Sequence, residues 1–251
     1  LRDIPNLFAF NQICVLSNGL ETRLGAFNAT YNHFFEWLKV DSEKERPDRQ
    51  ALKEAGTVGE SSVRDFIDGL LRKDRLDYIE NFIMFRNQKN KIIAKNHQYF
   101  GVNNLMESVK NRAELQGKLG VFWHTQGSGK SFSMVFFARK VRRKIPGNFT
   151  FLIITDREDL DDQIHKNFVK TEVIGQKEEC QPKNGKQLRD YLQTNKSFIF
   201  TLIHKFRYDK GKKYPVLSTR DDIIVLVDEA YVDFGGESAL PLLASCPNLL
   251  I

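Results

Sequence analysis

The feature that most constrains this chain is a rhythm that sets in at Gly120. Short, nearly continuous apolar runs alternate there with longer polar stretches of helical period. The runs are Gly120–Trp123, Thr150–Thr155, Phe198–Ile203 and Ile223–Val227. Runs of this kind suit strands of a parallel sheet, whose two faces are both covered by helices. The intervening stretches predict helices over Ser131–Lys144, Asp159–Val169 and Lys186–Thr194. Strand–helix alternation of this length folds as an α/β, doubly wound sheet with right-handed crossovers.

The preceding part of the chain has a different texture. Asn11–Leu16 reads as a strand, Ser17-Asn18-Gly19 as a tight turn and Leu24–Phe27 as the start of a returning strand. Val40–Gly59 is polar and interrupted by Pro47, Gly56 and Gly59, as a linker or insertion would be. Helices are expected over Ser62–Leu71 and Arg75–Phe85.

Composition bounds the rest. The 251 residues suffice for one large domain or two small ones. Hydrophobic residues at 41% and a net charge of +6 exclude a wholly disordered chain. No apolar run approaches the roughly 20 residues of a membrane span. The scattered Cys14, Cys180 and Cys246 suggest neither a disulfide framework nor a metal site, which fits a reducing cytoplasm. The first residues lack an initiator Met and a signal-peptide pattern, so the chain reads as a piece of something longer.

The sharpest local feature is His124-Thr125-Gln126-Gly127-Ser128-Gly129-Lys130-Ser131, between an expected strand and an expected helix. That is the setting of a phosphate loop. Gly127 and Gly129 let successive N–H groups turn toward phosphate oxygens. Lys130 offers charge to the β- and γ-phosphates and Ser131 a hydroxyl to Mg²⁺. His124 stands where a first Gly is usual, and a chance Gly-rich turn is the bland alternative.

A second feature agrees with it. The run Ile223–Val227 ends in Asp228-Glu229-Ala230, which puts Asp228 at the carboxyl edge of the sheet. Asp228 can hold Mg²⁺, and Glu229 can orient an attacking water. Two capping acids at a strand end are the alternative.

These segments together resemble type I restriction enzyme R subunits, whose motor belongs to helicase superfamily 2. The resemblance is carried by Trp123–Ser131, by Thr155–Gln163 (TDREDLDDQ), by Phe200–Phe206 (FTLIHKF) and by Asn96–Phe100 (NHQYF). Ile4–Asn11 and Ser17–Gly19 resemble the end of that family's nuclease domain, and Arg75–Phe85 its helical connector.

The resemblance implies a parallel-sheet, RecA-like P-loop motor lobe over residues 96–251. It would be preceded by the end of an α/β nuclease module (1–40) and by a linker and helical connector (41–95). It also implies ATP and Mg²⁺ as cofactors, and hydrolysis that drives translocation along double-stranded DNA before cleavage. Modification and specificity subunits would be the partners, in the cytoplasm and not on a membrane. Gln98 would read adenine, and Thr125, Gln126, Gly127, Ser128 and Gly129 would cradle phosphates with Lys130 and Ser131. Asp156, Arg157 and Gln163 would link nucleotide state to DNA, helix capping by Asp156 or Asp159 being the alternative. The nuclease acids would lie before Leu1 and the second motor lobe after Ile251, so this part alone should bind nucleotide but hydrolyse it slowly.

The stretch from Tyr231 onward departs from that family, where a His, not a Tyr, follows Asp-Glu-Ala. Residues 231–251 resemble a histidinol-phosphate-type aminotransferase segment, in which Asp228 and Tyr231 would face pyridoxal phosphate. A non-catalytic DNA-binding module is the third reading that the basic charge allows.

Overall fold

The computed structural model of the chain describes residues 10–40, 42, 58–72, 75–125, 127–176, 179–206, 216 and 218–228. Most of the linker expected over Val40–Gly59 lies outside the described residues, as do Glu229 and everything after it. The chain divides into two units, Leu1–Asn104 and Leu105–Ile251.

In the first unit, strands β1 (Cys14–Ser17) and β2 (Thr22–Gly25) form an antiparallel hairpin that pairs Cys14 with Gly25 and Ser17 with Thr22. Asn18 makes the turn, its Oδ1 accepting from the N–H groups of Leu20 at 2.9 Å and Glu21 at 2.8 Å. A short third strand, β3 (Phe35–Glu36), joins the other edge of β2.

Helix α1 (Val58–Phe66) runs into a wider π turn over Ile67–Arg72, and α2 (Arg75–Asn81) follows. The helix expected to reach Phe85 stops at Asn81. Ile83–Arg86 instead forms β4, paired antiparallel with β5 (Asn90–Ile93). Asn87 and Gln88 take φ of +53° and +58°, the left-handed twist that a tight hairpin connection uses. The apolar Phe82–Phe85 suits either period, and pairing with β5 decides it.

Helix α3 (Asn96–Lys110) comes next. The core of the first unit is aromatic. Trp37 meets Tyr78 at 5.6 Å and Tyr99 at 5.5 Å between ring centroids, and Phe82 meets Tyr99 at 5.0 Å. The buried Tyr78 hydroxyl donates to the carbonyl of Ala94, and burial pushes its pKa well above the ordinary range. Gly69 is required by crowding, because a Cβ there would overlap the Trp37 indole.

The second unit carries α4 (Lys130–Lys144), β6 (Thr150–Thr155), α5 (Glu158–Lys170), α6 (Gly185–Gln193), β7 (Phe198–Leu202) and β8 (Ile223–Val227). The three strands are parallel in the order β7-β6-β8, with Phe151 level with Phe198 and Ile224. Every residue of β6 is buried, as a central strand covered on both faces must be. On one face, Phe137 of α4 packs on Phe151, and Phe168 of α5 packs on Phe198 and Phe200. On the other, Leu188, Tyr191 and Leu192 of α6 cover Leu152, Ile199, Ile223 and Val225.

Asn184 caps α6 by accepting from the Gln187 N–H at 3.0 Å, and Gln187 Oε1 accepts from the Lys183 N–H at 2.7 Å. Both side chains thus tie down backbone N–H groups at the start of α6. Arg220 closes the opposite edge of the sheet, donating to Thr150 Oγ1 at 2.8 Å and to Asp222 at 2.7 Å.

One expected strand is absent. Residues 120–125 lie in no strand, with Val121 89% and Trp123 72% exposed. Gly120 at φ +129° turns the chain in a direction no strand uses, and the Phe122 ring leans on His124 at 4.3 Å. Among the described residues, the outer edge of β8 therefore carries no neighbouring strand.

Candidate nucleotide-binding site

Helix α4 opens at Lys130, directly after a glycine in the left-handed region. Gly129 holds the N-cap position at φ +89°, ψ 32°, and Gly127 sits at φ +77°. L-residues pay for such angles through contact of Cβ with backbone, so glycine is the residue that allows them. A Cβ on Gly127 would meet nothing within 4 Å. Backbone direction, not crowding, accounts for the glycine.

The loop closes on itself through short backbone bonds. Ser128 N–H donates to the Thr125 carbonyl at 3.2 Å, while Phe132 and Ser133 both donate to the Gly129 carbonyl. No side chain caps α4 at its N-cap. The positive end of the helix dipole lies at this glycine entrance, an arrangement that suits an anion. The body of the helix is anchored by buried Val135, Phe136, Phe137 and Val141. Lys130 and Ser131 occupy its first turn, half-buried. An ammonium, a hydroxyl and a glycine loop at a helix N-terminus are groups that suit a polyphosphate with a hard cation.

Asp228 follows the last residue of β8, half-buried, and its N–H donates to the Ile154 carbonyl at 3.0 Å. It therefore stands at the carboxyl edge of the sheet, as its sequence suggests. Glu229 and Gln126 lie outside the described residues.

Asp156 leaves β6 at the same edge. Its Oδ2 accepts from Arg157 Nε at 3.3 Å, and its Oδ1 is buried with no hydrogen-bond partner among the described residues. Neither Asp156 nor Asp159 caps α5. Arg157 holds the N-cap position without a side-chain cap, and Glu158, Asp159 and Asp161 load the first turn with negative charge. Gln163 is on the exposed side of that helix.

Gln98 lies in the first unit, 5% exposed, where its Oε1 accepts from the Lys95 N–H at 2.9 Å. It thus secures the start of α3 in the manner of a capping-box glutamine. Sequence reasoning missed a further polar group around Gln181, Asp161 and Lys205. Its members lie about 20 residues apart with no shared motif, and nothing local signals their contact.

The parallel sheet, the glycine loop and the acid at the strand edge define a RecA-like ATPase lobe. The chain belongs to the SWI2/SNF2 ATPase family, whose model matches residues 97–250. Membership in an ATPase family implies ATP binding.

The chain is also similar to endonuclease subunits of type I restriction enzymes. It is 35% identical over 240 residues to the HindI endonuclease subunit of Haemophilus influenzae, covering 91% of this chain and 22% of the relative. It is 31% identical over 264 residues to the putative MjaIXP endonuclease subunit of Methanocaldococcus jannaschii, covering 99% and 25%. A Staphylococcus aureus endonuclease subunit, SauCOLORF180P, is 26% identical over 67% of this chain. The chain thus spans about a quarter of the length of the curated relatives it matches.

The aminotransferase resemblance of residues 231–251 finds no support, because the ATPase match runs through that stretch to 250. Nor do the relatives favour a non-catalytic DNA-binding module. No helix among the described residues is long and apolar enough to cross a membrane.

Proposed function

We propose that this chain is the ATP-binding part of the restriction subunit of a type I restriction-modification endonuclease, in which ATP hydrolysis drives DNA translocation before cleavage. The observation that carries this reading is the left-handed Gly127–Gly129 loop that opens α4 at Lys130 without a side-chain cap. Residues 96–251 would be the first motor lobe, 41–95 the linker and helical connector, and 1–40 the end of a nuclease-like module.

In this reading Thr125, Gln126, Gly127, Ser128 and Gly129 wrap the phosphates with backbone N–H groups. Lys130 neutralises charge on the β- and γ-phosphates, and more so as charge builds on the oxygens during transfer. Ser131 and Asp228 would hold Mg²⁺, which would offset the negative charge of the phosphates. Glu229 orients the attacking water and accepts its proton. Gln98 reads adenine. Double-stranded DNA, a modification subunit and a specificity subunit are the partners, in the cytoplasm. Alone, the lobe binds nucleotide and turns it over slowly.

Titration calorimetry of Mg-ATP into the folded chain and its Lys130→Ala variant tests the reading. Binding by the parent that disappears in the variant is expected. A folded parent that takes up no nucleotide overturns it.

A further inference from the structure

Two segments singled out by sequence, Thr155–Gln163 and Phe200–Phe206, are joined in the structure by a third that sequence gives no reason to notice. Glu179–Lys183 runs beside β7, where the Phe200 N–H donates to the Cys180 carbonyl at 2.8 Å. Gln181 reaches α5: its Nε2 donates to Asp161 Oδ2 at 2.7 Å and to Asp162 Oδ1 at 3.2 Å. The next residue, Pro182, accepts from Lys205 Nζ at 2.7 Å through its carbonyl.

The amide orientation of Gln181 follows from its partners. Turned over, its oxygen would face two carboxylates, so the donating nitrogen belongs there. Asp161 is 7% exposed, and its other oxygen, Oδ1, is buried with no hydrogen-bond partner among the described residues. Gln181 is thus the direct polar contact of a buried carboxylate, with the Lys205 cation acting on it as a nearby charge. Capping of α6 by Asn184 and Gln187 fixes the far end of the segment.

We propose that Glu179–Lys183 is a latch that ties the first turn of α5 to the exit of β7, and that Gln181 is the positioning residue that makes the two move as one. This rests on the motor reading above, in which the α5 segment links nucleotide state to DNA. A change at the end of β6 then reaches Lys205 through Gln181 and Pro182, not only through the sheet. Gln181 is none of the residues that hold nucleotide, Mg²⁺ or the attacking water in that reading, so its loss leaves basal turnover intact and weakens the response to DNA.

The test uses the full-length subunit in its complex. Gln181→Glu places a third carboxylate against Asp161 and Asp162. Basal hydrolysis and the KM for Mg-ATP are expected to stay unchanged, while stimulation of hydrolysis by DNA falls about 5-fold or more. Adding Asp161→Asn to Gln181→Glu exchanges donor and acceptor across the same bond, and stimulation is expected to return. Hydrogen exchange gives a readout independent of turnover, with faster exchange in 158–165, 179–183 and 203–206 together in Gln181→Glu. Undiminished DNA stimulation in Gln181→Glu overturns the proposal, as does faster exchange confined to 179–183. Failure of the parent to bind Mg-ATP would overturn the motor reading instead, leaving the exchange pattern to judge the latch.

Discussion

The N–H of Asp228 donates to the carbonyl of Ile154 at 3.0 Å, so the parallel ladder between β6 and β8 continues one residue past the end of β8. The acid is held by backbone, and its carboxylate position follows from the sheet register, in which Ile154 lies level with Val227. Asp228→Asn keeps that register and removes only charge. Mg-ATP hydrolysis in the full-length subunit should fall at least about 100-fold, while nucleotide binding persists. Steady-state turnover beside calorimetry separates the two.

Gly129→Ala probes the entrance to α4. The left-handed φ of +89° costs an alanine about 1–2 kcal/mol, and relieving it would swing the first-turn amides off their direction. Weaker nucleotide binding and a lower urea midpoint are expected together. Gly127→Ala meets open space, so any cost it shows is conformational.

The Asp161–His165 face of α5 should make stability depend on pH in two opposite ways. Burial raises the Asp161 pKa above its ordinary 3.8, with Gln181 and Lys205 opposing. Its contribution is therefore fully present below about that value and is lost as pH rises through the folded pKa. Asp161→Asn can still accept from Gln181 and should raise the urea midpoint at pH 7, with the gain vanishing in acid.

For His165 the sign is reversed. Burial against the Phe200 ring, 5.0 Å away, lowers its pKa below 6.5 despite the opposing charges of Asp161 and Asp162, Lys166 adding to the lowering. Its contribution is present above 6.5 and lost as pH falls through the folded pKa. His165→Gln should flatten the decline in stability below pH 6.5, measured by denaturant titration across pH.

Gly69→Ala tests the aromatic core of the first unit. The added Cβ would overlap the Trp37 indole and come within 2.9 Å of the Lys39 carbonyl. Overpacking of this kind should cost about 1–3 kcal/mol, read from the shift in denaturant midpoint.

Much of the second unit was legible in its sequence because buried parallel strands leave a direct trace. Thr150–Thr155 and Ile223–Val227 have no polar face, and the structure gives them as strands with those bounds. The three helices of that unit fall within a residue or so of their expected ends. Gly120–Trp123 looks equally apolar, yet it forms no strand, because strand formation needs a paired edge that composition does not record.

Phe82–Phe85 failed as a helix for a related reason. A fully apolar run carries no period, and its pairing with Asn90–Ile93 was not visible locally. Within the site, the glycine loop and Asp228 announce themselves by residue type and context. Gln181 does not, since a glutamine between Cys180 and Pro182 acquires meaning only when the fold brings Asp161 and Lys205 to it.

The outer edge of β8 also bears on how the protein behaves in a tube. Among the described residues no strand pairs with that edge, and a strand edge left open is adhesive. Copies of the isolated lobe can satisfy that edge with one another. Self-association that grows with concentration is the cost of handling it apart from whatever covers β8.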